Sequence, residues 1–452
     1  MNEKKNGFST SKLDLSNRNI TSLNISTLIP PNITELYISN NKIKDLPDEI
    51  LNLRNVRVLD LSFNDIEYFD NTPIFYETIE YLDLSNNKLL GPPHWVWTSN
   101  PSKLNKLNLS SNIHITEAFQ NGYFEEILKY DCLAQNIIIY NCNLKKHKHL
   151  LGTFKNAKQL EYGTSNISKF CHTNKTDTVV WKILENINDL EVLNLSNTAV
   201  WYIEPCIGMY KNLKVIDLTY NEISKLPDEF CDIKTLEICI LSHNYIMYLP
   251  DKLFKLEKLN TLTIDNNELC MLPTYICKMP CLRKLDLYNN FLNEMPDGLD
   301  KFDEIDLAMN YFEEPSHEEY ERKKEKMRSN VTDRFDGRKK VEEKSDSEHT
   351  HLTDDELISC GSESRGDDNR PLSSPEDWDS DEYWIPHLTP KTNNPQSPWI
   401  FFVKKKISEG NFCPIDNHTV PIADQVKYEK LCNPTIDYET DGQYDDLSDD
   451  AS

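Results

Sequence analysis

Cysteine and histidine residues near the C-terminal end of the chain are the first candidates for metal chemistry. Cys413, His418 and Cys432 are separated by four and thirteen residues. A structural zinc site takes four ligands, and this group offers three, at spacings that no standard zinc ribbon uses. We therefore predict neither a metal site nor a cofactor.

The short motifs that mark common catalytic sites do not occur in the sequence. It contains neither a Gly-x-x-x-x-Gly-Lys-Ser/Thr loop, whose backbone would cradle a phosphate, nor a His-Glu-x-x-His pair, which would hold a catalytic zinc ion. Only 12 of the 452 residues are glycine, so loops that let a phosphate approach the backbone closely are scarce. We predict no catalytic residues and a chain that is not an enzyme.

The main signal in the sequence is a phrase that recurs every 23 residues. From Leu213 it reads Leu-x-x-Ile-x-Leu-x-x-Asn-x-Ile, and it returns at Leu236, Leu259 and Leu282. Alternating apolar residues predict a short strand, and the asparagine is expected to turn inward and satisfy backbone groups that the sheet does not reach. Between copies runs Leu-Pro-x-x-apolar, as at Leu226–Phe230, where proline suits a return path that needs no ladder donor.

In its period, strand signature and inward asparagine, this phrase resembles the leucine-rich repeat. Its Leu-Pro return is similar to the 23-residue subclass typical of intracellular scaffold proteins. The resemblance implies an α/β solenoid, a horseshoe in which each repeat adds one strand to a parallel sheet on the concave side. The fourth residue of the phrase defines thirteen candidate repeats, at Leu13, Leu36, Leu59, Leu82, Leu107, Ile137, Leu160, Leu193, Ile216, Cys239, Leu262, Leu285 and Ile305.

The ninth residue of the phrase is asparagine in nine of these repeats. The exceptions are Arg18, Cys142, Ser165 and Thr198, and the last three lie in the middle, where the spacing also departs from 23 residues. Because thiol and hydroxyl groups can form part of the same hydrogen bonding, we expect these three to stand in for asparagine. Arg18 cannot enter a tight core, which predicts a frayed or capping first coil.

Composition and the repeat phrase together predict four parts of the chain. The capping helix is expected to begin with Ser316, which would cap its N-terminus while Glu319 reaches back. Polar and acidic residues dominate beyond it, which indicates disorder. The predicted boundaries are 1–9 for an N-terminal extension, 10–315 for the array (irregular between 90 and 190), 316–330 for the capping helix and 331–452 for a disordered acidic tail.

The predicted tail carries much of the acidity of the chain and several aromatic residues. From residue 313 onward there are 34 acidic and 18 basic residues. Trp378, Trp384 and Trp399 stand in this acidic background, which is typical of a short binding motif or of a strand that docks on another element. A motif, a docked strand and an unused tail all remain open from the sequence.

The charge and the cysteine pattern narrow the class of partner and the compartment. A formal net charge of −25 disfavours nucleic acid and anionic membranes as partners. The sequence has no run of 18 apolar residues, and its N-terminus lacks the apolar core of a signal peptide. The 12 cysteines are scattered rather than grouped in flanking caps, which favours a reducing compartment. We predict a cytoplasmic monomer.

The predicted binding surface is the concave face, because alternate residues of a strand point to opposite sides of a sheet. Acidic side chains outnumber basic ones there, and the aromatic residues among them are typical interface anchors. The predicted partner-binding residues are Tyr37, Asp60, Phe63, Tyr81, Asp83, Asn108, Asn194, Asp217, Tyr220, His243, Asp265, Asp286, Tyr288 and Asp306. The sequence thus indicates a non-catalytic scaffold for a protein of unknown identity. The alternative is an adaptor whose acidic tail recruits a second protein, such as a kinase or ubiquitin ligase.

Overall fold

A computed structural model describes residues 11–339, except 22–27, 120–121, 167, 169–171, 177–179, 296 and 332–333. These residues belong to one compact unit that ends at Lys339. The predicted extension 1–9 lies outside the described residues. So does the chain from residue 340 onward, with Trp378, Trp384 and Trp399.

The described residues form one open sheet of thirteen parallel strands, in which every strand pairs with the next one along the chain. The middle residues of neighbouring strands face each other in register, as Leu36 faces Leu59 and Leu59 faces Leu82, and all three are fully buried. These middle residues are the predicted fourth-position residues, so the repeat assignment is confirmed. The strands are β1 Lys12–Asp14, β2 Glu35–Tyr37, β3 Val58–Asp60, β4 Tyr81–Asp83, β5 Lys106–Asn108, β6 Asn136–Ile138, β7 Gln159–Glu161, β8 Val192–Asn194, β9 Val215–Asp217, β10 Ile238–Ile240, β11 Thr261–Thr263, β12 Lys284–Asp286 and β13 Glu304–Asp306.

Inward asparagines join each repeat to the one before it. The Asn64 amide donates to the carbonyl oxygens of Ile38 and Leu61, at 3.0 and 3.1 Å, and its Oδ1 accepts the backbone N–H of Ile43 at 3.0 Å. The same three bonds recur at Asn244 with Leu218, Leu241 and Ile223. Because these backbone groups are buried at a sharp bend, leaving them unpaired would be costly.

The irregular repeats keep this hydrogen bonding with other residues. The thiol of Cys142 donates to the Leu109 carbonyl, and the hydroxyl of Thr198 donates to the Leu195 carbonyl, as expected from the sequence. In the seventh repeat, the prediction that Ser165 replaces the inward asparagine was wrong. Asn174 takes the ninth position instead, since its amide donates to the carbonyls of the sixth position in two successive repeats.

The asparagine of the seventh repeat is therefore displaced by nine residues, 165–173, which separate the eighth and ninth positions. Asn174 is fully buried, and its Oδ1 accepts the backbone N–H groups of Cys142 and Leu144, as Asn41 Oδ1 accepts those of Arg18 and Ile20. Gly163 precedes the extra residues, and a Cβ on it would collide with the backbone of Ser196. Only glycine fits where the two backbones approach so closely.

Short helices form the return paths opposite the sheet. Proline precedes several of them, where its fixed φ suits a helix start, as at Pro47 and Pro93. The long repeats between 90 and 190 hold the largest core residues, including Trp95, Trp97 and Trp181, each at most 1% exposed. In the described part of the chain, the α-helices are α1 Asp48–Leu51, α2 His94–Thr98, α3 Tyr123–Ile127, α4 Val180–Leu184 and α5 Glu318–Met327, and the 3₁₀ helices are Ile74–Glu77, Glu117–Phe119, Lys145–Thr153, Pro205–Met209, Asp228–Asp232, Leu253–Lys255, Ile276–Lys278 and Leu299–Lys301.

Helix α5 covers the last strand, in the place predicted for a cap. Tyr320 is 2% exposed, and its hydroxyl oxygen accepts the backbone N–H of Leu307, which would otherwise lack a strand partner. The predicted N-cap Ser316 was wrong. His317 is the N-cap, because its Nδ1 accepts the backbone N–H of Tyr320, and Glu319 pairs with Lys323.

The cap does not end at residue 330. The backbone N–H of Met309 donates to the Gly337 carbonyl at 2.6 Å, and the N–H of Lys339 donates to the Asn310 carbonyl at 2.7 Å. Gly337 has a φ of +88°, which favours glycine. We call residues 334–339 the strap. The predicted start of the tail at 331 was therefore too early. The composition of the strap is typical of disorder, but in the structure its backbone pairs with the exposed backbone at the end of the array.

A candidate interaction surface on the open face of the sheet

The side of the sheet that faces away from the core is here called the open face. Ten of the predicted binding residues lie on its uncovered part, from β2 to the turn after β10. Most of them are half-buried, Asp83 is 7% exposed and Phe63 is 55% exposed. They are Tyr37, Asp60, Phe63, Tyr81, Asp83, Asn108, Asn194, Asp217, Tyr220 and His243.

A fixed polar network occupies the face at β4 and β5. The Tyr81 hydroxyl and the Asn108 amide both donate to Asp83 Oδ2, at 2.8 and 2.9 Å. The Lys106 ammonium lies 5.3 Å from the centre of the Tyr81 ring. Burial and the Asp83 charge raise the pKa of Tyr81, so its hydroxyl stays protonated as a donor. The network thus presents side chains in one arrangement.

Two carboxylates on the open face are held in one orientation by the turns that follow their strands. Asp60 Oδ1 accepts the backbone N–H and the hydroxyl of Ser62, at 2.9 and 2.7 Å, and Asp217 is held in the same way by Thr219. Burial raises the pKa of both carboxyls. Such fixed acceptors suit donors or cations on a protein partner.

An aromatic platform lies beyond β9. The rings of Tyr220 and His243 are stacked with their centres 4.2 Å apart. Burial lowers the pKa of His243, which favours the neutral imidazole at neutral pH. His243 Nε2 lies 3.2 Å from the amide nitrogen of Asn266, and that amide also donates to Asp265 at 2.7 Å. The platform is thereby linked to the next repeat.

Four predicted binding residues do not face solvent. Asp265, Asp286, Tyr288 and Asp306 are between 0% and 6% exposed, because Arg334 of the strap lies over them. Arg328, which follows α5, also covers Asp306 and bonds it at 2.7 Å. The prediction that they are open to a partner was wrong for this conformation. Sequence reasoning placed Arg334 in the predicted tail and missed its role. The available signal was that this basic residue follows three repeats with an aspartate on the open face, at Asp265, Asp286 and Asp306.

We call these four residues the aspartate cage. Arg334 donates two parallel hydrogen bonds to Asp286, at 2.8 and 3.0 Å, a third to Asp306 at 2.9 Å, and pairs with Asp265 at 3.2 Å. Its guanidinium carbon lies 4.6 Å from the centre of the Tyr288 ring. Burial and the Asp265 charge outweigh the attraction of Arg334 and raise the pKa of Asp286 to about 7. The cage therefore depends on the guanidinium for its stability.

Family models described as the leucine-rich repeat match the chain at residues 9–66, 78–99 and 212–233. The matched residues carry the strands and inward asparagines described above. The chain is a leucine-rich repeat protein. This repeat commonly serves as a scaffold for protein–protein interaction, and its members are generally not enzymes.

Curated relatives resemble this leucine-rich repeat protein over short stretches. Leucine-rich repeat-containing protein 3B of Homo sapiens is 41% identical over 64 residues, which are 14% of this chain and 25% of that protein. Receptor-like protein 7 of Arabidopsis thaliana is 36% identical over 108 residues, which are 23% of this chain and 10% of that protein. The matches thus span a quarter or less of the relatives' length.

Solved structures of other proteins are similar in fold over about two thirds of this chain. A leucine-rich repeat protein of Leptospira interrogans has a TM-score of 0.47 at 22% identity, over 66% of this chain and 70% of that one. An internalin of Listeria monocytogenes has a TM-score of 0.49 at 19% identity, over 66% of this chain and 87% of that one.

Two further observations concern only the residues that the structure describes. No group of three or more histidine, cysteine, aspartate or glutamate side chains among them could hold a metal ion. No helix among them has the length and apolar character needed to cross a bilayer. Asp265, Asp286 and Asp306 enclose an arginine rather than a cation site.

The eighth residue of each regular leucine-rich repeat has a left-handed backbone, which sequence reasoning missed. Asn40 and Asn86 have φ values of 53° and 54°, and asparagine tolerates this region. Phe63, Tyr220 and His243 adopt the same conformation, with φ of 53°, 56° and 56°. Bulky residues rarely do so, and strained residues cluster at functional sites. These three side chains are therefore the strongest candidates for direct contact with a ligand.

The variant Phe63→Asn should be more stable than the natural chain. The left-handed backbone is strained for phenylalanine, and asparagine should relieve about 1 kcal/mol. The replacement can also join an amide ladder, since Asn289 bonds Asn266 across repeats at 2.8 Å. Thermal denaturation followed by circular dichroism should show a higher midpoint. Asn40→Phe is the matched control and should lower it. A lower midpoint for Phe63→Asn would show that phenylalanine is kept there for stability.

Proposed function

We propose that this leucine-rich repeat protein is a non-catalytic scaffold that binds a partner protein on the open face between β2 and β10. The observation that carries the proposal is the exposed Phe63, held in a strained backbone conformation directly after the turn in which Ser62 fixes Asp60. Stability does not explain a strained and exposed aromatic residue, whereas contact with a partner does.

The physical basis of binding is a surface that is ordered before the partner arrives. Tyr81, Asn108 and Asp83 hold one another, and the Asp60 and Asp217 carboxylates are fixed by backbone bonds. Little side-chain freedom is lost on binding, so modest contacts suffice. The complementary partner presents an apolar pocket for Phe63, with hydrogen-bond donors or basic side chains on either side.

The same proposal includes a cytoplasmic monomer that binds neither nucleic acid nor membrane. Eight cysteines in the described residues are free thiols, and burial raises the pKa of Cys132 and Cys142 to about 12, which keeps them unreactive. Free thiols are usual in a reducing compartment. The net charge of −25 supports repulsion from polyanions.

The test compares variants of the full chain for recovery of a cellular partner. A partner recovered by affinity purification is identified by mass spectrometry, and its dissociation constant is measured with purified chains. Phe63→Asn and Tyr220→Asn should each weaken binding at least tenfold while the array stays folded. Phe254→Ala is the matched control, because Phe254 is 51% exposed but lies on the return-path helix Leu253–Lys255.

A second comparison separates the scaffold from the adaptor alternative. Removal of the residues after Lys339 should leave the dissociation constant unchanged if the open face binds the partner. If that truncation abolishes binding and the open-face variants do not, the acidic tail is the recruiting element and our proposal is wrong.

A further inference from the structure

We propose that the aspartate cage is an arginine-recognition site, which the chain fills with its own Arg334 and to which an arginine-bearing segment of a partner protein binds in exchange. The proposal deepens the proposed function and rests on it, because the cage continues the open face. Asp265 and the Tyr220–His243 platform are joined through Asn266. Strands are about 4.8 Å apart, so the cage begins within about 10 Å of the platform.

The geometry of the cage selects a guanidinium group. Two nitrogens of Arg334 meet the two oxygens of Asp286, one of them also bonds Asp306, and the group lies over the Tyr288 ring. A planar, forked cation satisfies all of these contacts together, whereas the ammonium group of lysine acts as a point charge and cannot.

The strap that supplies Arg334 is held mainly by hydrogen bonds and ion pairs, and its Arg334 and Lys339 lie over the rings of Tyr288 and Phe291. Its one large apolar side chain, Phe335, is 71% exposed, and the side chains of Asp336 and Arg338 are 68% and 52% exposed. Segments that bury few apolar contacts open at low local cost. Asp306 keeps its pair with Arg328 when Arg334 leaves. Leaving the buried Asp265 and Asp286 without a cation is costly, so the strap leaves when another guanidinium replaces Arg334.

Both occupants cannot be held at once, because Arg334 is 6% exposed and uses the oxygens of Asp286 that a partner arginine would need. The strap is therefore a competitor that is always present at high effective concentration. A partner that also engages the platform gains the contacts needed to displace it, and a partner without an arginine does not.

The experiment uses the full chain with Arg334→Ala and two synthetic peptides. One peptide has the sequence of residues 334–339, and the other has lysine in place of both of its arginines. The arginine peptide should bind the variant at least tenfold more tightly than the lysine peptide, by isothermal titration calorimetry. It should bind the natural chain at least tenfold more weakly than the variant, since Arg334 competes. Adding Asp286→Asn to the variant should remove the preference for arginine.

Two results would overturn the inference: equal affinity of the variant for both peptides, or no binding of the arginine peptide. If Arg334→Ala proves poorly folded, its melting temperature is measured with each peptide. A rise with the arginine peptide alone supports the site, and no difference contradicts it. Partner binding is scored separately through Phe63→Asn. If that variant loses the partner while the cage shows no arginine preference, the scaffold function stands and this inference fails.

Discussion

Replacement of the inward asparagine by alanine, as in Asn244→Ala, should be among the most damaging single changes in this protein. Alanine leaves the buried carbonyls of Leu218 and Leu241 and the N–H of Ile223 without their partner. Each unsatisfied buried group costs about 1–3 kcal/mol, so we expect a loss of about 4 kcal/mol in the free energy of unfolding. Urea denaturation followed by circular dichroism measures this loss.

The irregular repeats supply a graded comparison for that experiment. Thr198 and Cys142 show that a hydroxyl or a thiol can donate to the carbonyl of the sixth position. Asn244→Thr should therefore lose about two thirds as much as Asn244→Ala, because one of the three backbone groups keeps a partner. Asn212→Ala, at an exposed position, should have almost no effect. Equal losses for Asn244→Ala and Asn212→Ala would show that the inward amide does not stabilise the stack.

The second large effect is expected for Arg334→Ala. Removal of one partner of a buried ion pair typically costs about 3–5 kcal/mol, because the remaining charges stay buried without compensation. Here Asp265 and Asp286 lose their cation, while Asp306 keeps its pair with Arg328. Chemical denaturation of the full chain should show the loss. Arg338→Ala is the control, since Arg338 and Glu313 form an exposed pair that is worth little.

The Arg334→Ala loss should also depend on pH with a defined sign. Burial and the Asp265 charge already raise the pKa of Asp286 to about 7, and Arg334 opposes that rise. Without Arg334 the folded-state pKa rises further above its unfolded value, so protonation favours the folded state below it. The variant should be less impaired at pH 5 than at pH 8. A loss that is the same at both values, or larger at pH 5, would contradict this account of the cage.

The repeat architecture could be predicted from the sequence because every repeat carries apolar residues at the same positions. Leu36, Leu59 and Leu82 recur at one step, and a strand that lies beside an identical strand has little freedom of register. The inward asparagines were predictable for the same reason. Asn174 could not be predicted, because the nine residues before it interrupt the 23-residue spacing. Only the stacked coils show which polar side chain bonds the buried carbonyl groups.

The candidate site was predictable only in part. Alternation along the strands placed Tyr37, Asp60 and Tyr220 on one face, which the structure shows. It could not show that Arg334 covers the last strands, because this contact joins residues 48 positions apart and depends on where the chain turns after α5. The strain at Phe63 is likewise a backbone property that side-chain patterns do not reveal.

The displaced asparagine of the seventh repeat has a practical consequence for protein engineering. Nine residues separate Thr164 from Asn174, yet Asn174 still closes the coil with the usual bonds. The free energy of closing a loop rises slowly with length, by about 0.6 kcal/mol for each doubling. The junction between the eighth and ninth positions is thus a natural graft point, where a peptide epitope or a spectroscopic probe can be carried without disturbing the neighbouring coils.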